Sequence, residues 1–128
     1  MQSKPEILRE RTKRLAIRIV KLFRILPATE EARVIGRQVL RSGTSVGANY
    51  RAVCRARSRA EFTARMGVVI EEADETVFWL EMLIDCGVLP RERLAGLLNE
   101  ADELVRIFAA SRRTAQSALQ RRAHRTAT

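Results

Sequence analysis

The chain has 128 residues, of which 46% are apolar and 30% are charged, with only 3 prolines and 6 glycines. This composition excludes the disordered and fibrous classes, and the length favours one domain with a single hydrophobic core. Lys and Arg outnumber Asp and Glu by 24 to 15, and the resulting net charge of +9 favours a polyanionic partner.

The first predicted element is an amphipathic helix over residues 6–26. On a helical wheel with 100° between successive residues, the apolar side chains occupy one arc and the cations occupy the other. The basic arc carries Arg14, Ile17, Arg18, Lys21 and Ile25. Pro27 ends this helix, and Thr29 followed by two glutamates predicts the N-cap of the next one.

The second predicted helix spans residues 30–55 and continues through Gly43 and Gly47. Its apolar face keeps one register across both glycines, which a break in the helix would disturb. The two glycines cost up to ~2 kcal/mol in helix propensity, so we expect a closely packed neighbouring helix to offset that cost. The face opposite the apolar one carries Arg37, Arg41, Arg51 and Arg55.

A third helix is predicted over residues 59–86. Ser58 and Glu61 have the spacing of a capping box at its start, and Gly87 is placed to end it. A second set of apolar residues lies off its core stripe, among the acidic residues: Val68, Phe78, Trp79 and Met82. Two explanations stay open, a wide core face or a subunit contact shared with Ile17 and Ile25.

The fourth helix is predicted over residues 90–113, with Pro90 in its first turn. Residues 114–128 consist mainly of Ala, Ser, Thr, Gln and Arg, and we expect a basic flexible tail there. No stretch alternates apolar and polar residues with a period of two. Residues 1–113 are therefore predicted to form an all-α, antiparallel up-down-up-down four-helix bundle.

Features that indicate compartment are few. Cys54 and Cys86 stand far apart without a C-x-x-C motif, and we expect both thiols to be reduced. The N-terminal residues are polar, which argues against a signal peptide, and no apolar run is long enough for a transmembrane helix. The expectation is a cytoplasmic protein with no membrane contact.

Three sequence elements resemble one known family. They are Ser45-Val-Gly-Ala-Asn49, Ser58-Arg-Ala-Glu-Phe62 and Glu72-Ala-Asp-Glu-Thr-Val-Phe-Trp-Leu80. These elements resemble the four-helix-bundle proteins first noticed in intervening sequences of bacterial 23S ribosomal RNA genes, over roughly residues 8–113. The commonest family pattern has Ile-Ala-Glu-Gly after the asparagine, where this chain has Tyr50, Arg51, Ala52 and Val53.

A related branch of that family is similar to the accessory variability determinant of diversity-generating retroelements. Proteins of that kind are pentameric rings with basic surfaces. For this chain the resemblance implies a ring-like homo-oligomer, a homopentamer, with nucleic acid and a reverse transcriptase as partners. The spacing of residues does not itself give a number of subunits.

Charge is unevenly distributed along the chain. Residues 1–29, 30–59 and 91–128 carry net charges of +6, +5 and +4, whereas residues 60–90 carry −6. Two explanations are open. In one, the acidic third helix lies beside the basic helices and moderates their repulsion. In the other, the basic faces stay uncompensated and bind phosphates through Arg14, Arg18, Lys21, Arg37, Arg41, Arg51 and Arg55.

Enzymatic chemistry has little support in the sequence. His124 is the only histidine, so Ser-His-Asp, Cys-His and His-ligated metal sites are not expected, nor is a di-iron site built on the third-helix carboxylates. We therefore expect no enzyme activity, no cofactor, no metal and no small-molecule substrate.

Two functions of different classes remain. The first is a non-enzymatic, oligomeric bundle that binds RNA or DNA through basic helix faces, as an accessory of a reverse transcriptase or in association with ribosomal RNA. The second is a protein-interaction adaptor that uses the acidic and apolar faces of the third helix.

Overall fold

The computed structural model describes residues 1–127, which form four α-helices and no β-strand. The helices are α1 (Lys4–Ile25), α2 (Glu30–Cys54), α3 (Arg59–Asp85) and α4 (Arg91–Ala127). Short turns connect them, and their packing is bundle-like. The predicted all-α class and the number of helices are confirmed.

Each helix packs beside the next one in the chain, and α1 also meets α4 along a narrower seam. Helices α1 and α3 therefore lie on one diagonal of the bundle, and α2 and α4 lie on the other. A single cluster of buried apolar residues from all four helices fills the centre. Within it, the hydroxyl oxygens of Ser42 and Thr76 lie 3.0 Å apart and link α2 to α3.

The two glycines of α2 lie where that helix approaches α1. A Cβ atom on Gly43 would stand 2.8 Å from the side chain of Ile19, and one on Gly47 would stand 3.3 Å from the backbone of Thr12. The two helices can approach this closely only because α2 lacks side chains at these positions. The predicted continuous helix and its close neighbour are both confirmed.

Serine caps begin two of the helices. The side chain of Ser3 accepts a hydrogen bond from the Glu6 N–H, and the Glu6 carboxylate accepts one from the Ser3 N–H. This complete capping box starts α1 two residues before the predicted boundary. At α3 the Ser58 side chain accepts from the Glu61 N–H, but the Glu61 carboxylate accepts from the Arg57 N–H instead of completing the box.

The end of α4 corrects the prediction of a flexible tail from residue 114. The helix continues to Ala127, and Thr128 lies outside the described residues. Residues 114–127 contain no glycine or proline and several good helix formers, so local propensity does not stop the helix. Ala115 is buried, and the Arg112 guanidinium donates to the Thr63 carbonyl on α3, which holds this part of α4 against the bundle.

Candidate nucleic-acid interface

The cations predicted on α1 are divided between solvent and the seam with α4. Arg14 and Lys21 are exposed, whereas Arg18 is half-buried and reaches α4, 3.0 Å from the place of a Cβ on Gly96. Arg11, in the same seam, forms a two-point ion pair with Glu100 through bonds of 2.6 and 3.1 Å, and this bond raises the pKa of Arg11. Part of the α1 charge therefore serves to attach α1 to α4.

Arg41 is engaged by the acidic helix. Its guanidinium donates to the carboxylates of Glu72 and Glu75 on α3. The hydrogen bond from Arg41 is the main reason that the pKa of Glu75 is lowered, and a second bond from Trp79 adds to it. At this position the acidic helix compensates a basic one, which is the first of the two explanations considered for its charge.

The remaining predicted arginines of α2 are exposed. Arg37 lies on the outward face beside Arg33, and Arg51 and Arg55 lie on the same face nearer the helix end. None of these four side chains forms an ion pair within residues 1–127. The structure therefore separates the seven predicted phosphate contacts into different surroundings instead of placing them on one surface.

Arg51 and Arg55 line an open recess of about 760 Å³ at the junction of α2 and α3, together with Arg57 and Arg65. The carboxylate in this recess is Glu61, which accepts from the Arg57 backbone at 3.2 Å and from the Arg65 guanidinium at 2.9 Å. These bonds, the backbone one first, lower the pKa of Glu61. Glu61 is paired with Arg65 and also attracts the charge of Arg57, so Arg51 and Arg55 keep uncompensated guanidinium groups.

A second recess, of about 370 Å³, adjoins the α2–α3 turn. Arg59 from the first turn of α3 lines it with the α4 residues Ala118, Arg121, Arg122 and Arg125. We call the two recesses together the arginine end, defined by these residues: Arg51, Arg55, Arg57, Arg59, Arg65, Arg121 and Arg122.

Sequence reasoning found only Arg51 and Arg55 of this group. Arg57 and Arg59 flank a turn, where helical periodicity gives no face, and the two α4 arginines were assigned to a flexible tail. The spacing Arg55-Ala-Arg57-Ser-Arg59 was the available signal.

The opposite end of the bundle, formed by the α1–α2 and α3–α4 turns, is mixed in charge. Residues 81–93 contain two arginines, Arg91 and Arg93, against Glu81, Asp85 and Glu92. Residues 21–37 contain four cations against two glutamates. Opposite charges in this arrangement leave no concentrated positive field.

The apolar residues predicted at a subunit contact occupy different sides of the bundle. On α3, Phe78 and Val68 are 52% and 43% exposed. Trp79 is half-buried beside Phe78, with ring centroids 4.9 Å apart, and its indole N–H donates to Glu75. Met82 is half-buried and packs against the core. Ile17 and Ile25 are exposed on α1, across the bundle diagonal.

Other features of the described residues are simple. Cys54 and Cys86 are free and exposed. Over residues 1–127, no helix combines the length and the apolar character needed to cross a membrane. In the same range, no three side chains of His, Cys, Asp or Glu are grouped as a metal site would require.

Comparison with known proteins gives a family and a fold. The family model described as "23S rRNA-intervening sequence protein" matches residues 6–110. A crystal structure from Bacteroides thetaiotaomicron, of a protein with unknown function from the S23 ribosomal protein family, is 33% identical, with a TM-score of 0.80. That similarity covers 87% of this chain and 99% of the other. No curated protein matches the chain. The family match stops before Arg121 and Arg122.

Proposed function

Because the chain belongs to the 23S rRNA-intervening sequence protein family, we propose that it is a non-enzymatic protein that binds nucleic acid through its arginine end. One observation carries this proposal. Arginines from α2, α3, α4 and the turn between α2 and α3 line two recesses on either side of the start of α3. The carboxylate among their lining residues is Glu61, which is already paired with Arg65. Binding of a polyanion to such a cluster is favourable for two reasons. The phosphates neutralise arginines that otherwise repel one another, and counterions condensed on the polyanion are released.

Contacts of this kind position nucleic acid without reading its sequence. A guanidinium can donate two parallel hydrogen bonds to a phosphate oxygen pair, and it remains charged at every physiological pH. Backbone phosphates are the same whatever the base, so the arginine end supplies affinity and little sequence discrimination. Arg14, Lys21 and Arg37 are exposed cations outside the arginine end, and we expect them to add only weak peripheral contacts along the sides of the bundle.

We also propose that the protomer is an antiparallel bundle assembled into a ring-like homo-oligomer. Contacts between α1 and α2 support the antiparallel course, because Ile19 meets Gly43 while the earlier Thr12 meets the later Gly47. The apolar sets on α1 and α3 lie on different sides of the bundle, as a head-to-tail interface requires. Such an interface forms a ring when its rotation closes and an open filament when it does not. A ring repeats each arginine end and adds avidity to weak single contacts.

A salt titration tests the proposed function. A labelled single strand and a labelled duplex are each titrated with the intact protein at several salt concentrations. We expect the logarithm of the association constant to fall steeply and linearly with the logarithm of salt concentration, because each neutralised phosphate releases counterions. An affinity that does not change with salt, or no affinity at low salt, contradicts the proposal.

The exposed Phe78 and the acidic residues around it favour a second candidate, a protein-interaction adaptor. A partner captured equally well from untreated and nuclease-treated extract supports the adaptor, whereas a partner lost after nuclease supports nucleic-acid binding. The proposal includes two alternative physiological partners, a reverse transcriptase and a ribosomal RNA. The genes that flank this one discriminate between those two.

A further inference from the structure

A groove of about 740 Å³ opens beside the arginine end. The start of α1, the end of α2, the start of α3 and the middle of α4 form its walls. This volume lies in the range of roughly 300–1,000 Å³ that is typical of pockets for small organic groups. Arg59 lines both this groove and the recess that contains Arg121 and Arg122, so the two spaces are neighbours that share one cation.

The charged residues that line the groove are all cations. Lys4 and Arg9 come from α1 and Arg59 comes from α3. None of the three is in an ion pair with a carboxylate among residues 1–127, and no described Asp or Glu lines the groove. The groove therefore offers anions three free cationic groups.

The rest of the lining is aromatic, aliphatic and hydroxylic. Phe62 is half-buried in one wall, with Val53 and Ala115 near it and the hydroxyl side chains of Ser111 and Thr114 on α4. Tyr50 also lines the groove, and burial, together with the neighbouring Cys54, raises the pKa of its phenol. The Tyr50 phenol is protonated at physiological pH, so it can both donate and accept a hydrogen bond.

We propose that this groove binds an unpaired nucleotide of a single-stranded nucleic acid, with its base against Phe62 and the flanking phosphates on Arg9 and Arg59. The inference rests on the proposed function and adds the class of nucleic acid. A nucleotide has the three properties that the lining matches: a flat apolar face, polar edges and an anionic backbone. Bases in a duplex are stacked inside it and cannot enter, so a duplex is confined to the open recesses.

The two cysteines provide a direct test. Cys54 lines the groove, whereas Cys86 follows α3 at the opposite end, and both thiols are free and exposed. The rate of alkylation by iodoacetamide is measured at each cysteine by mass spectrometry, without ligand and with a short oligouridylate, an oligothymidylate or a duplex. With free single strand at about ten times its Kd, we expect alkylation of Cys54 to slow about tenfold and that of Cys86 to stay unchanged.

A pair of aromatic variants supplies a second readout. Phe62→Leu keeps an apolar side chain in the wall but removes the aromatic face, so we expect single-strand affinity to fall about tenfold while duplex affinity is unchanged. Phe23→Leu is the matched control, because Phe23 is also half-buried but packs beside Gly36 at the opposite end. The control should change neither affinity.

Each outcome decides the inference. Slower alkylation of Cys54 with either single strand, RNA or DNA, supports it. Equal slowing by the duplex, or binding without any slowing, overturns the inference but leaves the proposed function intact. Failure of every probe to bind at low salt overturns both.

Discussion

Residues 48–65 and residues 81–93 each lead the chain from one helix into the next, but their charges differ in sign. The first segment contains five arginines and one glutamate, and the second contains two arginines and three acidic residues. Each turn has a local stabilising feature, which is the Ser58 cap in the first and Gly87 at a φ of 71° in the second. The two ends of the bundle therefore differ in their surface charge and not in how the chain turns.

The cations of the molecule fall into a paired group and an unpaired group. Two cations that reach a neighbouring helix, Arg11 and Arg41, are paired with carboxylates on that helix. At the arginine end most of the arginines are unpaired, and their mutual repulsion destabilises the folded state. We propose that an anionic partner outside the chain accounts for this unpaired cluster.

The largest expected effect comes from reversing charge at matched positions of α2. Arg51→Glu with Arg55→Glu removes two cations of the arginine end, and we expect roughly 100-fold weaker binding and a salt slope smaller by about 2. Arg33→Glu with Arg37→Glu has the same spacing and exposure near the opposite end, and the expected loss is below about tenfold. Fluorescence anisotropy with a labelled single strand measures both.

Glutamates near the end of α2 also oppose the helix dipole, so a fold-neutral version is needed as a control. Arg51→Gln with Arg55→Gln should weaken binding in the same direction while helical circular dichroism stays unchanged. Equal losses from the two reversed pairs would mean that the two ends do not differ in function.

The next effect concerns the extension of α4. Arg121→Gln with Arg122→Gln removes both α4 cations of the arginine end and changes no buried residue. We expect affinity to fall about tenfold and the salt slope to decrease by about 2, because two phosphate contacts are removed. The urea unfolding midpoint should stay within error of the unmodified protein. Unchanged affinity would remove α4 from the arginine end.

The two turns should be equally important for stability. Ser58→Ala removes the cap of α3 and should cost about 1 kcal/mol of unfolding free energy. Gly87→Ala should cost a similar amount, about 1 kcal/mol, because φ is positive there although no atom lies within 4 Å of the added Cβ. Urea denaturation measures both, and Gly87→Ala, which lies away from the arginine end, should not alter nucleic-acid affinity per folded molecule. A much larger loss at one turn would show that the ends also differ mechanically.

The smallest effect is the pH dependence of Glu61. Its pKa is lowered below the ordinary value of 4.5 by the Arg57 N–H and by Arg65. The carboxylate therefore stabilises the fold above pH 4.5, and this contribution disappears as the pH falls through the lowered value. Glu61→Gln should flatten the acid side of the stability profile measured in urea. Glu81→Gln, an exposed change of equal charge, should flatten it less.

Most of the fold could be predicted from the sequence. Apolar periodicity, Pro27, the Ser58 cap and Gly87 place the four helices and their turns within about two residues, apart from the end of α4. Each of those signals depends only on residues close together in the sequence, so a single sequence is sufficient to predict the helices. The exception at residue 114 arose because polar composition resembles that of a tail, whereas helix propensity and the contacts of Arg112 continue the helix.

The surroundings of the candidate site residues could be predicted only in part, because they depend on which helices meet. Net charge per segment gives the surplus of cations but not the pairing of Arg41 with Glu72 and Glu75 or of Arg11 with Glu100. The approach of α4 arginines to Arg59 likewise joins residues about sixty positions apart. Such neighbours are determined by tertiary packing, whereas a helical wheel describes only one helix at a time.

Photo-crosslinking tests the central claim most directly, because it reports where nucleic acid lies on the unmodified protein. A labelled single strand is bound at low salt, irradiated, and the cross-linked peptides are identified by mass spectrometry. The arginine end predicts cross-links within residues 48–65 and 112–127, with few in residues 21–37 and 81–93. Cross-links concentrated in residues 21–37 and 81–93 would contradict it.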